Sequence, residues 1–171
     1  MNLPTPEQLI DKLVEQISPA IGPEGWQDQA LVGMHTGGVW VMEALMERLG
    51  LQEVATGTLD TSFYRDDYTR RGLHDDVKPS RIPFDVEGRR ILLIDDVLNT
   101  GRSVRAAMNL LFDYGRPASI RLAVLVDRGG RELPVCADYI GLRLDLPSNS
   151  HVNLARDEGG QLSLVVSERT P

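Results

Sequence analysis

The residues with the most chemistry in them run in one stretch, Ile91-Leu92-Leu93-Ile94-Asp95-Asp96-Val97-Leu98-Asn99-Thr100-Gly101-Arg102-Ser103. Four apolar residues bury a strand, two carboxylates stand at its carboxyl end, and a turn of Asn, Thr, Gly, Arg and Ser opens a helix. The backbone N–H groups of Asn99 to Ser103, the hydroxyls of Thr100 and Ser103, and the positive end of the helix dipole make a cradle for a phosphate dianion. Gly101 lets the backbone approach it closely. Two acids beside such a cradle would repel the phosphate itself, so Asp95 and Asp96 suit sugar hydroxyls, to which carboxylates make strong bidentate hydrogen bonds. Phosphate and vicinal diol together describe a ribose 5-phosphate. The plainer alternative is an acidic pair that caps a turn and solvates a strand end.

A second turn repeats the logic. Met34-His35-Thr36-Gly37-Gly38 lies between a strand and a helix, and its amides can hold a second anion beside the first; read alone, it is a plain connection. His35 fits a structural role better than a catalytic one, because no second His or Cys stands at metal-ligand spacing.

These turns need elements to carry them. Thr5, Pro6 and the apolar series Leu9, Ile10, Leu13, Val14 and Ile17 predict an amphipathic opening helix. Gln29 to Met34 reads as a buried strand, Val39 to Leu49 as a helix ended by Gly50, and Val54 to Phe63 as a strand. Arg65 to Arg81 is a polar run of about 17 residues without apolar period, the pattern of a lid or an excursion. Arg90 to Asp95, Ser103 to Tyr114 and Ser119 to Val126 follow as strand, helix and strand, with short β segments at Tyr139-Ile140 and Leu162 to Val166. Alternating strands and helices predict an α/β fold with a mainly parallel sheet covered on both faces, and ligands beyond the carboxyl ends of the strands.

The thirteen residues resemble the 5-phosphoribosyl-1-pyrophosphate (PRPP) motif of type I phosphoribosyltransferases, with Ser103 where threonine is commoner. Ser62-Phe63-Tyr64-Arg65-Asp66-Asp67, Asp113-Tyr114-Gly115-Arg116-Pro117-Ala118-Ser119 and Val126-Asp127-Arg128-Gly129-Gly130-Arg131-Glu132-Leu133-Pro134 resemble the PyrR family, over roughly Leu31 to Gly141. The resemblance implies a single phosphoribosyltransferase domain over residues 1–171, with a twisted sheet, a small hood and a flexible loop at about 65–81. It implies transfer of the ribose 5-phosphate of PRPP to uracil, giving UMP and pyrophosphate, together with regulation of pyrimidine genes. It assigns Asp95, Asp96 and Arg65 to catalysis, Asn99, Thr100, Gly101, Arg102 and Ser103 to the 5-phosphate, and His35, Thr36, Gly37 and Gly38 to pyrophosphate. The base falls to main-chain contacts near Arg128 and Ile140. Mg²⁺ is expected to arrive with PRPP, with no dedicated protein site. Purine-type members carry an aspartate where this chain has Asn99, an amide that cannot take a proton, which disfavours purine salvage. A homodimer or higher homo-oligomer is implied.

The rival reading is a nucleotide-sensing RNA-binding regulator with vestigial catalysis, and a third is salvage of orotate or hypoxanthine. Against RNA, 18 basic and 25 acidic side chains leave a net charge of −7, which repels polyanions at long range. In RNA-binding relatives several basic or histidine positions correspond here to Asp11, Glu15, Gly130, Cys136 and Leu142, although Arg131 is retained. Trp26 and Trp40 lack interleaved basic residues and read as core or interface packing. Cys136 reads as a buried small hydrophobe, and a single cysteine suits the cytoplasm. No apolar stretch approaches the roughly 20 residues that span a bilayer.

Overall fold

Thr5 begins the first helix, α1 (Pro6–Ile17), with a capping box: its hydroxyl accepts from the Gln8 N–H while the Gln8 side-chain oxygen accepts from the Thr5 N–H. The computed structural model describes residues 3–21, 25–62 and 79–168. After α1 come β1 (Gln29–Met34), α2 (Gly37–Leu49), β2 (Ala55–Leu59), β3 (Arg90–Leu98), α3 (Arg102–Tyr114), β4 (Ser119–Asp127) and β5 (Tyr139–Arg143). The five strands form one sheet in the order β2-β1-β3-β4-β5, and every neighbouring pair is parallel. An antiparallel hairpin, β6 (Ser150–Arg156) and β7 (Leu162–Glu168), stands apart as the hood.

Period-2 alternation along the strands divides the core. Leu31, Leu92, Ile94 and Leu125 meet α1, α2 and the hairpin on one face, whereas Val32, Met34, Leu93 and Val124 meet α3 on the other. Trp26 and Trp40 pack, partly buried, against the first of these clusters, in line with the packing role expected of them. β5 is a sheet edge, and α1 covers it. The Gln16 side chain accepts from the Ile140 N–H at 3.2 Å and donates to the Ile140 carbonyl at 3.0 Å, so the edge presents no unpaired amide there.

Several predicted boundaries change. The second strand stops at Leu59, opposite the last residue of β1, and Asp60 turns the chain by accepting from the Ser62 N–H. β3 does not end at Asp95, because Val97 and Leu98 still pair with Val126 and Asp127. β6 was not anticipated at all. Residues 65–78 of the predicted loop, Arg65 included, lie outside the described residues. Its last residue, Arg81, exchanges two backbone hydrogen bonds with Thr58, of 2.8 and 2.7 Å, so the excursion ends before it. Cys136 is exposed and not buried, since it sits in the irregular segment between β4 and β5 and not on a core-facing strand. No helix among the described residues is long and apolar enough to cross a membrane.

Leu13 is fully buried where α1 meets the sheet. Leu13→Ala should cost about 2–5 kcal/mol of unfolding free energy, read as a lower midpoint in urea denaturation with little change in slope.

Candidate functional site

In the order β2-β1-β3-β4-β5 the chain steps from β1 to one side and returns on the other. The turns leaving β1 and β3 therefore diverge, α2 to one face and α3 to the opposite one, and a crevice opens between them at the carboxyl ends. There lies a cavity of about 190 Å³ lined by Asp95, Asp96, Asn99, Thr100, Gly101 and Ser103 from the β3–α3 connection, Arg128 after β4, and His151, Val152 and Asn153 of β6.

Close backbone approach fixes how the two turns meet. A Cβ on Gly38 would lie 2.4 Å from the Ile94 carbonyl oxygen, and one on Gly37 would lie 2.2 Å from Asp96 Oδ2. The start of α2 thus rests directly on the end of β3, and the Asp96 carboxylate occupies the space that a side chain at position 37 would need. The His35–Thr36 peptide in this turn is cis. His35, Thr36, Gly37 and Gly38 do not line the cavity, and Gly37 adjoins it through Asp96.

Asp95 is 4% exposed, and its Oδ1 accepts from the Asp96 N–H at 2.9 Å. Gly101 has φ +91, which brings the chain into α3 with no side-chain cap. The Arg105 N–H reaches back to the Gly101 carbonyl at 3.0 Å, and the Arg102 N–H to the Thr100 hydroxyl at 3.2 Å. The remaining first-turn N–H groups lack a partner within the helix, as at any helix start. The Arg102 guanidinium is not in the cavity lining; it is exposed and pairs with Glu132 at 2.7 Å.

Of the two residues expected near the base, Arg128 lines the cavity and Ile140 does not. Both main-chain groups of Ile140 are held by Gln16. The Arg128 N–H is likewise taken, by the Leu98 carbonyl at 3.1 Å. The Arg128 side chain, 5% exposed, donates to the Ser150 carbonyl at 2.6 Å and the Pro147 carbonyl at 3.2 Å, and so ties the hairpin to the end of β4. Its Nε has no partner among the described residues. The wall facing the acids is β6. The alternation of Val152 and Leu154 with His151 and Asn153 was a strand signal in the sequence, but two residues of each kind cannot say which cavity they face.

A family model described as a phosphoribosyl transferase domain matches residues 2–154. Bifunctional protein PyrR of Pseudomonas paraeruginosa is 48% identical over 154 residues, 90% of this chain and 90% of that protein. The protein of the same name from Nitrosococcus oceani is 48% identical over 176 aligned positions, with 99% of each chain covered. The chain belongs to the PyrR family of phosphoribosyl transferases. Among solved structures, the hypoxanthine phosphoribosyltransferase of Trypanosoma cruzi superposes with a TM-score of 0.66 at 20% identity, covering 94% of this chain and 93% of that one, a likeness of fold.

In this PyrR-family chain the segment after β4 also carries a charge pair. Arg131 Nη2 lies 2.6 Å from Asp127 Oδ2. Burial opposes ionisation of Asp127, but the Arg131 hydrogen bond, the Gly129 amide and the charges of Arg131 and Arg143 outweigh it and hold the carboxyl below its ordinary value of 3.8. A depressed folded value contributes stability above pH 3.8 that is lost as pH falls through the folded value. Asp127→Asn should therefore lower the urea midpoint at pH 7, and the gap from the unmodified chain should close as pH is taken well below 3.8; a gap independent of pH would put the effect in packing.

Proposed function

We propose that the chain joins uracil to PRPP, giving UMP and pyrophosphate. The observation that carries the reading is the juxtaposition of the acids with two anion-binding turns: Asp95 and Asp96 stand between the uncapped start of α3 and the glycine turn that opens α2. The first turn takes the 5-phosphate on N–H groups and hydroxyls, the two carboxylates take the ribose hydroxyls, and the His35–Gly38 turn takes pyrophosphate. In the displacement the C1–O bond to pyrophosphate breaks while uracil N1 bonds to C1 and gives up its proton. Holding the reactants in line and balancing charge on the leaving group account for most of the acceleration. Arg65 is assigned to that leaving group by resemblance.

Magnesium fits this site as a companion of PRPP. Asp95 and Asp96 offer hard oxygen donors beside the phosphate turn. Bound there, Mg²⁺ would neutralise phosphate charge. His151 and Asn153, on the face of β6 opposite the core-packed Val152, offer donors and acceptors for the edge of a pyrimidine ring. A homo-oligomer and a cytoplasmic setting belong to the same reading; Phe112 and Tyr114 on α3, 57% and 48% exposed, are candidates for a subunit contact.

RNA stays outside this reading. Asp11 is paired with Arg48, and Arg131 is turned inward onto backbone carbonyls. Gly130 has φ +73, a conformation that strains any residue with a side chain, so a histidine at this position would carry backbone strain.

A pyrophosphate-release assay with PRPP and a panel of bases tests the proposal. Uracil should be the best acceptor, and hypoxanthine or orotate turning over about tenfold faster would sink it. Asp96→Asn and Asp95→Asn should each raise the KM for PRPP by about tenfold or more, the order expected when a charged hydrogen-bond acceptor becomes neutral. Unchanged PRPP use in both variants would leave the acids as mere solvation of a strand end. Binding of a pyrimidine-leader hairpin no tighter than a control RNA is expected at physiological salt; submicromolar, selective, UMP-stimulated binding would restore the regulator reading.

A further inference from the structure

The phosphate turn has a second side. Its residues Asn99, Thr100, Gly101 and Ser103 line the cavity, and its carbonyls need partners other than substrate. One guanidinium holds the first of them, the Asn99 carbonyl. Arg131 Nη1 donates to the Asn99 carbonyl at 2.6 Å, with the Gly129 and Leu98 carbonyls at 3.4 and 3.5 Å, while Nε donates to the Val135 carbonyl at 2.9 Å. Nη2 is held by Asp127 at 2.6 Å, which orients the planar fork from the end of β4. The Glu132 and Leu133 N–H groups, next along the chain, both donate to the Thr100 carbonyl, at 3.0 and 3.1 Å.

The peptide units of this turn are trans and planar, so a carbonyl pinned on one side sends the N–H of the following residue to the other. Fixing the carbonyls of Asn99 and Thr100 fixes the directions of the Thr100 and Gly101 N–H groups. We infer that Arg131 is a positioning residue for the phosphate turn: through the Asn99 carbonyl it aims the Thr100 N–H at the 5-phosphate, and Asp127 holds it in place. The inference rests on the proposal that this turn takes the phosphate of PRPP. It gives a substrate-affinity role to a residue that the family resemblance would place among RNA contacts.

The test measures ribose 5-phosphate binding to the full chain by calorimetry, alongside the KM for PRPP and for uracil. Arg131→Ala should bind ribose 5-phosphate about tenfold more weakly and raise the KM for PRPP to match, while the KM for uracil stays within about twofold. Arg131→Lys keeps a charge opposite Asp127 without the fork and should fall between the two; it carries the comparison if the alanine variant does not fold. A purely structural role would weaken ribose 5-phosphate and uracil together, and that result overturns the inference. So does a folded variant whose ribose 5-phosphate affinity is unchanged, including one that loses hairpin binding instead. If the unmodified chain neither binds ribose 5-phosphate nor uses PRPP, the proposed function falls and the inference with it. Tight binding by the unmodified chain and an unaffected variant remove the inference alone.

Discussion

Backbone rests on backbone where α2 begins against the end of β3. With no side chain at Gly37 or Gly38, the helix start sits on the Ile94 carbonyl and the Asp96 carboxylate. That contact sets the spacing between the turn after β1 and the turn after β3. It also explains why the turn after β1 depends on its glycines: a methyl group at Gly37 or Gly38 would drive two packed elements apart, and interiors at crystal-like density cannot absorb such a shift cheaply. The crevice, the acids and the two anion-binding turns all inherit their geometry from it.

The second recurring theme is the satisfaction of carbonyls. Three loops converge on the cavity, and loops carry polar groups that no ladder pairs. Arg131 serves the β3–α3 turn, Arg128 serves the approach to β6, and Gln16 serves the edge of β5. Each uses side-chain donors to quiet backbone oxygens, and Gln16 also accepts from the Ile140 N–H. The price is that these side chains are committed; a guanidinium holding several carbonyls cannot also lie on a polyanion. The exposed ion pairs Arg48–Asp11, Arg102–Glu132 and Arg156–Glu43 contribute little by comparison, since solvent screens them.

The sequence by itself determined a good deal. The strands of the parallel sheet, the capped opening helix, and the association of Asp95, Asp96 and the Asn99–Ser103 turn were all legible, because each depends on neighbours in the chain: apolar runs, cap residues, and a glycine at the start of a helix. The resemblance in the same residues anticipated the family that the relatives then showed. Tertiary structure decided what depends on partners distant in sequence. β2 stops where β1 stops, and β3 continues past its acids because β4 continues beside it. Cys136 is exposed because no element covers it. The far wall of the cavity belongs to His151, Val152 and Asn153 and not to Ile140, and Arg131 faces inward and not outward. A side chain's type limits which bonds it can make, but only the packed fold brings a particular acceptor within 3 Å of it, and that is why the residues were readable and their assignments were not.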